Sequence, residues 1–313
     1  MADDIIKHID DKHREAYKEL LDNLRGDPAN NSNEPINRAF LLLCDAKKGE
    51  KTEYDQDVIQ SALNTALIAV HEIGLGRTSV ISFFIYKAKE AVITDYNEVK
   101  NNFNGEVAVI TEGLAKIDTL DEKTSSSQAE NFRRLLLNLA RDVRVILLRL
   151  AEQLEVMREM KKCKREDQLK IASESAFLYA PLAHRLGLYL VKSEMEDLSL
   201  KYTDRDTYSM IAKKLAETMR ARRSFIREFI TPIEKELTRQ GFDFEIKGRP
   251  KSIHSIWNKM KRKEVEFEDI YDLFAIRIIL RSELKNEKAD CWQVYSAVTD
   301  IYQPNPLRLR DWI

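Results

Sequence analysis

Glycine and proline are scarce in this chain, at 9 and 7 of 313 residues. A sandwich or barrel of short strands needs many tight turns, and turns draw on these two residues. Their scarcity argues against an all-β architecture and for long helices. Cysteine is scarcer still. Cys44, Cys163 and Cys291 are far apart, odd in number and without a CxxC pair. That argues against a disulfide framework and a structural zinc site, and leaves packing as their role. No apolar run approaches the ~18 residues that span a bilayer, and the opening MADDIIKHIDDKHREAYKEL has no secretory h-region. The chain reads as soluble and cytoplasmic, in a reducing compartment. An excess of one charge is missing too. Lys and Arg number 51 against 52 Asp and Glu, a formal net charge of −1. A globally basic nucleic-acid coat is thereby excluded, though a local basic patch is not.

What the chain has is grease and charge in helical order. Hydrophobic residues make up 43% and charged residues 33%, enough to bury cores and to solvate long helical faces. The length suits two domains of roughly 100–200 residues. Apolar spacing predicts helices over 3–24, 36–46 and 56–73, with RGDPANNSNEP (25–35) as a break and Gly74-Leu75-Gly76 as a stop. Thr78 or Ser79 is expected to cap the next helix, ISFFIYKA (81–88), which is apolar enough to be buried. TSSSQAEN (124–131) reads as a loop. The clearest stripe runs over 131–160, with apolar residues from position 132 to 157 in steps of three and four. Helical texture continues through 166–199 and 205–240. At Gly241 it changes. FDFEI (242–246) alternates like a strand, LFAIRIILR (273–281) is a β-branched run, and 286–302 is helical again.

Between the two strands lies KGRPKSIHSIWNKMKRK (247–263), with seven Lys or Arg and no acid. Gly248 and Pro250 suit a tight turn, and Ser252 a helix N-cap. A helix start beside Arg249 and Lys251 offers free N–H groups and cations to a phosphate. Ser255 and Lys259, four apart, share one helical face. The plain alternative is a solvated basic helix. Asp272, at the opening of the second strand, suits a Mg²⁺ ligand near bound phosphate. It equally suits a strand-capping acid paired with Arg277. RNA binding through 247–263 has little support, because Trp257 and His254 are the only rings available for stacking.

As a set, these residues resemble a known family. FEIKGRPKSIHSIWNKMKRK followed by FEDIYDLFAIRII is similar to the opening of the synthetase domain of long RelA/SpoT-type (p)ppGpp synthetases. YAPLAHRLGLYLVKSEMEDLSLKY (179–202), LARDVRVILLRLA (139–151) and YQPNPLRLRDWI extend the resemblance over almost the whole chain. It implies transfer of the β,γ-pyrophosphate of ATP to the 3′-hydroxyl of GDP or GTP. By position, Arg249 would stack on adenine, Lys251, Ser255 and Lys259 would hold the ATP phosphates, and Asp272 would bind Mg²⁺ and serve catalysis. In the family the charge of the loop reading Arg308-Leu309-Arg310-Asp311 goes with guanine-nucleotide preference. Arg308 and Arg310 could meet the acceptor's phosphates and favour GTP, or simply form a surface loop.

The resemblance also implies a helical HD-type hydrolase in the first half, where two His and two Asp hold Mn²⁺ to activate water. Here the His-Asp pair reads Tyr86 and Lys87. The first His falls near Ser61 and Ala62, the last Asp is Glu152, and the later His-Asn step is Glu155-Val156. Glu90 survives from an acidic pair whose partner is Ala91. An ammonium where a carboxylate should coordinate repels a dication and removes a ligand. Glu152 could still meet a metal, but one carboxylate makes no Mn²⁺ site. His71 has no metal-spaced partner and reads as a packed or surface residue. The expectation is a fold kept and a hydrolysis lost, with no Mn²⁺.

The fold class expected is mainly α, with three parts. Residues 1–197 form a degenerate all-helical HD-type domain, 198–240 connecting helices, and 241–313 the incomplete start of an α/β nucleotidyltransferase-like synthetase domain. The family's later Tyr and Glu, and its ribosome-engaging regions, do not occur in this sequence, so the 313 residues are expected to be catalytically incomplete. The competing expectation is a non-catalytic regulatory module that binds a nucleotide such as ppGpp, or a partner protein.

Overall fold

A computed structural model describes residues 10–24, 32–88, 96–121, 141–270, 273–305 and 309–311. It divides into two compact units, Met1–Thr203 and Asp204–Ile313. Two helices ahead of Gly241, Arg205–Glu217 and Met219–Arg239, thus fall in the same unit as the strands.

The first unit is helical throughout its described residues. Its elements are α1 (Asp11–Asn23), α2 (Glu34–Lys47), α3 (Val58–His71), α4 (Arg77–Ala88), α5 (Tyr96–Asn102), α6 (Gly105–Asp121), α7 (Val143–Glu159), α8 (Arg165–Glu174), α9 (Ala180–Arg185) and α10 (Tyr189–Thr203). Asp57 caps α3 by accepting from the Gln60 amide at 2.9 Å, and Asp142 caps α7 by accepting from the Arg144 amide at 2.9 Å. The end of α3 is set by Gly74. Its φ of 82° lets the Leu75 amide reach back to the Ala69 carbonyl at 2.8 Å. Neither Thr78 nor Ser79 caps α4. The helix already begins at Arg77, and the Gly76 carbonyl accepts from Val80. The long stripe appears as α7 from Val143; residues 131–140, like the expected loop 124–131, lie outside the described residues.

α4 is the buried centre. Phe83, Phe84 and Ile85 are fully enclosed, and α4 packs against α2 and α6, while α3 packs against α7 and α1. Tyr17 stacks on Phe40 at 4.1 Å and donates to Asn37 at 2.7 Å, so its hydroxyl stays paired inside the core. Between α8 and α9 the helix widens into one π turn, Ser175–Tyr179, closed by an Ala180 amide to Ser175 carbonyl bond. That turn points Phe177 to solvent and keeps Leu178 and Tyr179 buried.

The second unit holds α11 (Arg205–Glu217), α12 (Met219–Arg239), β1 (Phe244–Pro250), α13 (Ile253–Lys263), β2 (Phe274–Leu280) and α14 (Glu287–Ile301). Gly241, at φ 80°, closes α12 by letting the Phe242 amide bond the Leu237 carbonyl at 3.1 Å. β1 and β2 pair antiparallel from Phe244↔Leu280 to Pro250↔Phe274. One sheet face, with Phe244, Ile246, Ile278 and Leu280, packs on Ile233 and Leu237 of α12 and Val294 and Ala297 of α14. A second cluster joins Ile211 of α11 to Ile256 of α13, Phe267 and Ile270. Among the described residues no helix is long and apolar enough to cross a membrane.

Candidate functional site

Two loci carry the expected site residues, one in each unit. In the helical unit, α4 ends with Tyr86 and Lys87 facing the middle of α7. Tyr86 is buried. The Lys87 ammonium lies 2.7 Å from Glu152 Oε1, and Arg149, one turn before Glu152, donates to its Oε2 at 2.6 Å. Arg149 also donates to the Tyr86 hydroxyl at 3.4 Å. The Lys87 ammonium is 5.3 Å from the Tyr86 ring centre and 6.0 Å from that of Phe83, within cation–π range. All three charged side chains are at most 17% exposed. Burial works to raise the Glu152 carboxyl, but Lys87 and Arg149 outweigh it and hold its pKa down at about 2.

These residues do not fit a divalent metal. A bound dication needs deprotonated ligands on its open faces. Here both Glu152 oxygens are committed to cations. Among the described residues, no three His, Cys, Asp or Glu converge in a metal-holding arrangement. Glu90 lies outside the described residues. Arg149 is the residue the sequence reading missed. Its position three before Glu152 on one helix was the available signal.

One turn further along α7, Glu155 has the opposite environment. It is 2% exposed and accepts from Ser61 Oγ at 2.8 Å and Asn64 Nδ2 at 3.4 Å. Burial pushes its carboxyl up to about 7. The two hydrogen bonds pull the other way, while the charges of Glu159 and Glu152 add to the rise. Glu155 lines an open cleft of about 420 Å³ with Glu19, Asn64, His71 and Arg158. His71 is exposed, and its Nε2 lies 3.9 Å from Glu19. Arg158 grips both oxygens of Glu72 and both of Glu194 at 2.7–2.9 Å.

In the second unit the basic segment is a strand running into a capped helix. Gly248 and Pro250 form no tight turn. Both lie within β1, opposite Ile276 and Phe274. Proline is tolerated on an edge strand, and among the described residues both strands of this two-stranded sheet are edges. The Lys251 amide then bonds the Leu273 carbonyl at 2.9 Å, extending the pairing by one step. Ser252 caps α13 as expected: its Oγ accepts from the Ser255 amide at 3.2 Å and donates to Ser255 Oγ at 2.7 Å. Ile256 anchors the helix, fully buried, and Lys261 sits 4.6 Å over the Trp257 ring. Lys251, Ser255 and Lys259 are all half-buried, bracketing the first turns of α13. Arg249 is placed by its backbone opposite Ala275. Asp272 and Arg308 lie outside the described residues, and Arg310 is exposed. Arg277 pairs across the ladder with Lys247.

Comparison with known proteins follows the same division. Residues 39–189 match an HD domain model, and residues 248–313 match the region found in RelA / SpoT proteins. The chain is 34% identical over 281 residues to a guanosine-3′,5′-bis(diphosphate) 3′-pyrophosphohydrolase of Aquifex aeolicus, covering 90% of this chain and 39% of that protein. It is 30% identical to a GTP pyrophosphokinase of Myxococcus xanthus, over 89% of this chain and 36% of that one. It is 29% identical to the bifunctional (p)ppGpp synthase/hydrolase SpoT of Escherichia coli, over 89% and 39%. The chain thus spans about two-fifths of the length of these relatives. With its helical HD domain followed by a small α/β region of the matching type, it belongs to the RelA/SpoT family.

Proposed function

We propose that this chain serves (p)ppGpp synthesis: it presents the ATP side of a site that moves pyrophosphate to the 3′-hydroxyl of GDP or GTP, while its HD domain regulates without hydrolysing. The observation that carries the synthetic half is the junction of β1 and α13. A strand delivers Lys251 to a serine-capped helix start, and Ser255 and Lys259 follow on that helix. Under this proposal, a helix start flanked by the ammonium groups of Lys251 and Lys259 suits the kind of charge a triphosphate carries. In this reading Lys251, Ser255 and Lys259 orient the phosphates, Arg249 stacks on adenine, and Arg308 and Arg310 meet the acceptor's phosphates. Mg²⁺ at Asp272, when bound, would neutralise charge on the transferring group. Such transfer depends mostly on positioning and charge neutralisation, and fixed cations and helix dipoles supply both.

The relatives' names include hydrolases, and the first unit has the hydrolase's domain type. The Lys87–Glu152–Arg149 cluster is what favours a silent hydrolase here, because an ammonium and a guanidinium occupy both oxygens of Glu152. The test has two arms. Calorimetry of Mg·ATP binding should show a loss of at least tenfold in affinity for the Lys251→Ala/Lys259→Ala chain, and equal affinity would sink the phosphate assignment. Incubation with ppGpp and Mn²⁺ should release no pyrophosphate, and release would restore the hydrolase.

A further inference from the structure

Where the resemblance to an HD-type hydrolase places a metal, the first unit has a cation that is part of the chain. Lys87 leaves α4 next to Tyr86. Its ammonium meets Glu152 of α7 at 2.7 Å and lies against the faces of Tyr86 and Phe83. Phe83 is fully buried and Tyr86 nearly so. One carboxylate oxygen and two aromatic faces thus lie around the ammonium among the described residues, a lining that suits an alkylammonium. The other Glu152 oxygen is held by Arg149 from its own helix. Lys87 is thus the side chain that ties this acid across to α4, and removing it leaves a largely shielded carboxylate short of a partner.

We infer that Lys87 is the resident cation of the helical unit, a tethered ammonium that replaces a dication in joining α4 to α7, and that its removal opens a cavity which small primary alkylammonium ions fill. The inference rests on reading this half as a hydrolase fold without its metal. It adds that the fold itself needs no metal and names the ligand class that the emptied site would take.

The full chain allows a direct test, because Trp257, Trp292 and Trp312 all belong to the second unit. Far-ultraviolet circular dichroism follows mainly the helical unit, and tryptophan fluorescence serves as an internal control. Lys87→Ala should lower the dichroism midpoint by roughly 5–15 °C and leave the fluorescence midpoint in place. n-Propylammonium should restore at least half of the loss. Tetramethylammonium, which has the charge but no N–H, should not. If Lys87→Ala does not fold, Lys87→Ala/Glu152→Gln keeps the question open to measurement. It should fold, melt above the single variant and ignore the amine. An unchanged midpoint in Lys87→Ala, equal effects of the two ammonium ions, or a double variant no better than the single would each overturn the inference. Manganese added to the unsubstituted chain separates the two readings. A raised midpoint would overturn the silent-hydrolase reading, whereas a failed amine rescue without any manganese response would overturn only the role given to Lys87.

Discussion

Replacing Glu155 with glutamine removes a carboxyl whose pKa burial raises from 4.5 to about 7. At 1.36 kcal/mol per pH unit that displacement is worth roughly 3 kcal/mol. The sign follows from which state holds the proton. Between 4.5 and 7 the folded chain keeps a proton that the unfolded chain has released, so stability from this group is full below about 4.5 and is lost as pH rises through 7. Glutamine imitates the protonated acid, since its amide can meet both Ser61 and Asn64. Glu155→Gln should therefore match the unsubstituted chain near pH 4 and exceed it by up to ~3 kcal/mol near pH 8. Urea unfolding followed by circular dichroism at a series of pH values measures the difference, in which the other titrating groups cancel. Glu152, one turn away, supplies the opposite control. Lys87 and Arg149 outweigh its burial and depress its pKa to about 2. Its contribution is present above the unfolded value and lost as pH falls through 2, so Glu152→Gln should destabilise at neutral pH by a similar amount. A difference curve for Glu155→Gln that stays flat from pH 5 to 8 would refute the account of its environment.

Other substitutions test the packing and the basic segment. Gly113→Ala would set a methyl 2.7 Å from the Val145 side chain and should cost about 1–3 kcal/mol in urea unfolding, as overpacking at a closed helix crossing does. Arg158→Ala releases both Glu72 and Glu194. Because the group is part-exposed, the loss should be about 1 kcal/mol and should shrink in high salt. Ser252→Ala removes the cap on α13 and should cost about 1 kcal/mol, with faster hydrogen exchange confined to the first turn of α13.

Much of this was legible in the residues alone. The apolar spacing gave α2 and α3 to within a few residues and the C-terminal end of α7 to within one, and the helical texture of 286–302 gave α14, because one-sided burial leaves a periodic trace. Gly241 marked the change to strands because only a residue at ease with positive φ closes α12 as it does. Local chemistry misled at Gly248 and Pro250, whose turn preference gave way to pairing with β2. At Thr78 and Ser79 the helix simply began a residue early. In the candidate site, Ser252 was readable because a cap is a local device. Lys87 was readable only as a missing ligand. Its union with Glu152, and that of Ser61 with Glu155, join residues 65 and 94 positions apart. Pairing at that range is decided by how α3, α4 and α7 pack, which no window of sequence contains.

The wide turn at Ser175–Tyr179 gives one stretch of the first unit an unusual tolerance of length. A regular helix that loses a residue turns everything after it by about 100°, which in α7 would swing Glu152 away from Lys87. The helix from Arg165 to Arg185 already carries a surplus residue, stored in the Ala180-to-Ser175 bond. Deleting Ala176 lets that loop tighten to ordinary spacing, with Ile171 and Ala172 still inward on one side and Leu182 and Ala183 on the other. Evolution can shorten the domain here without re-facing its core.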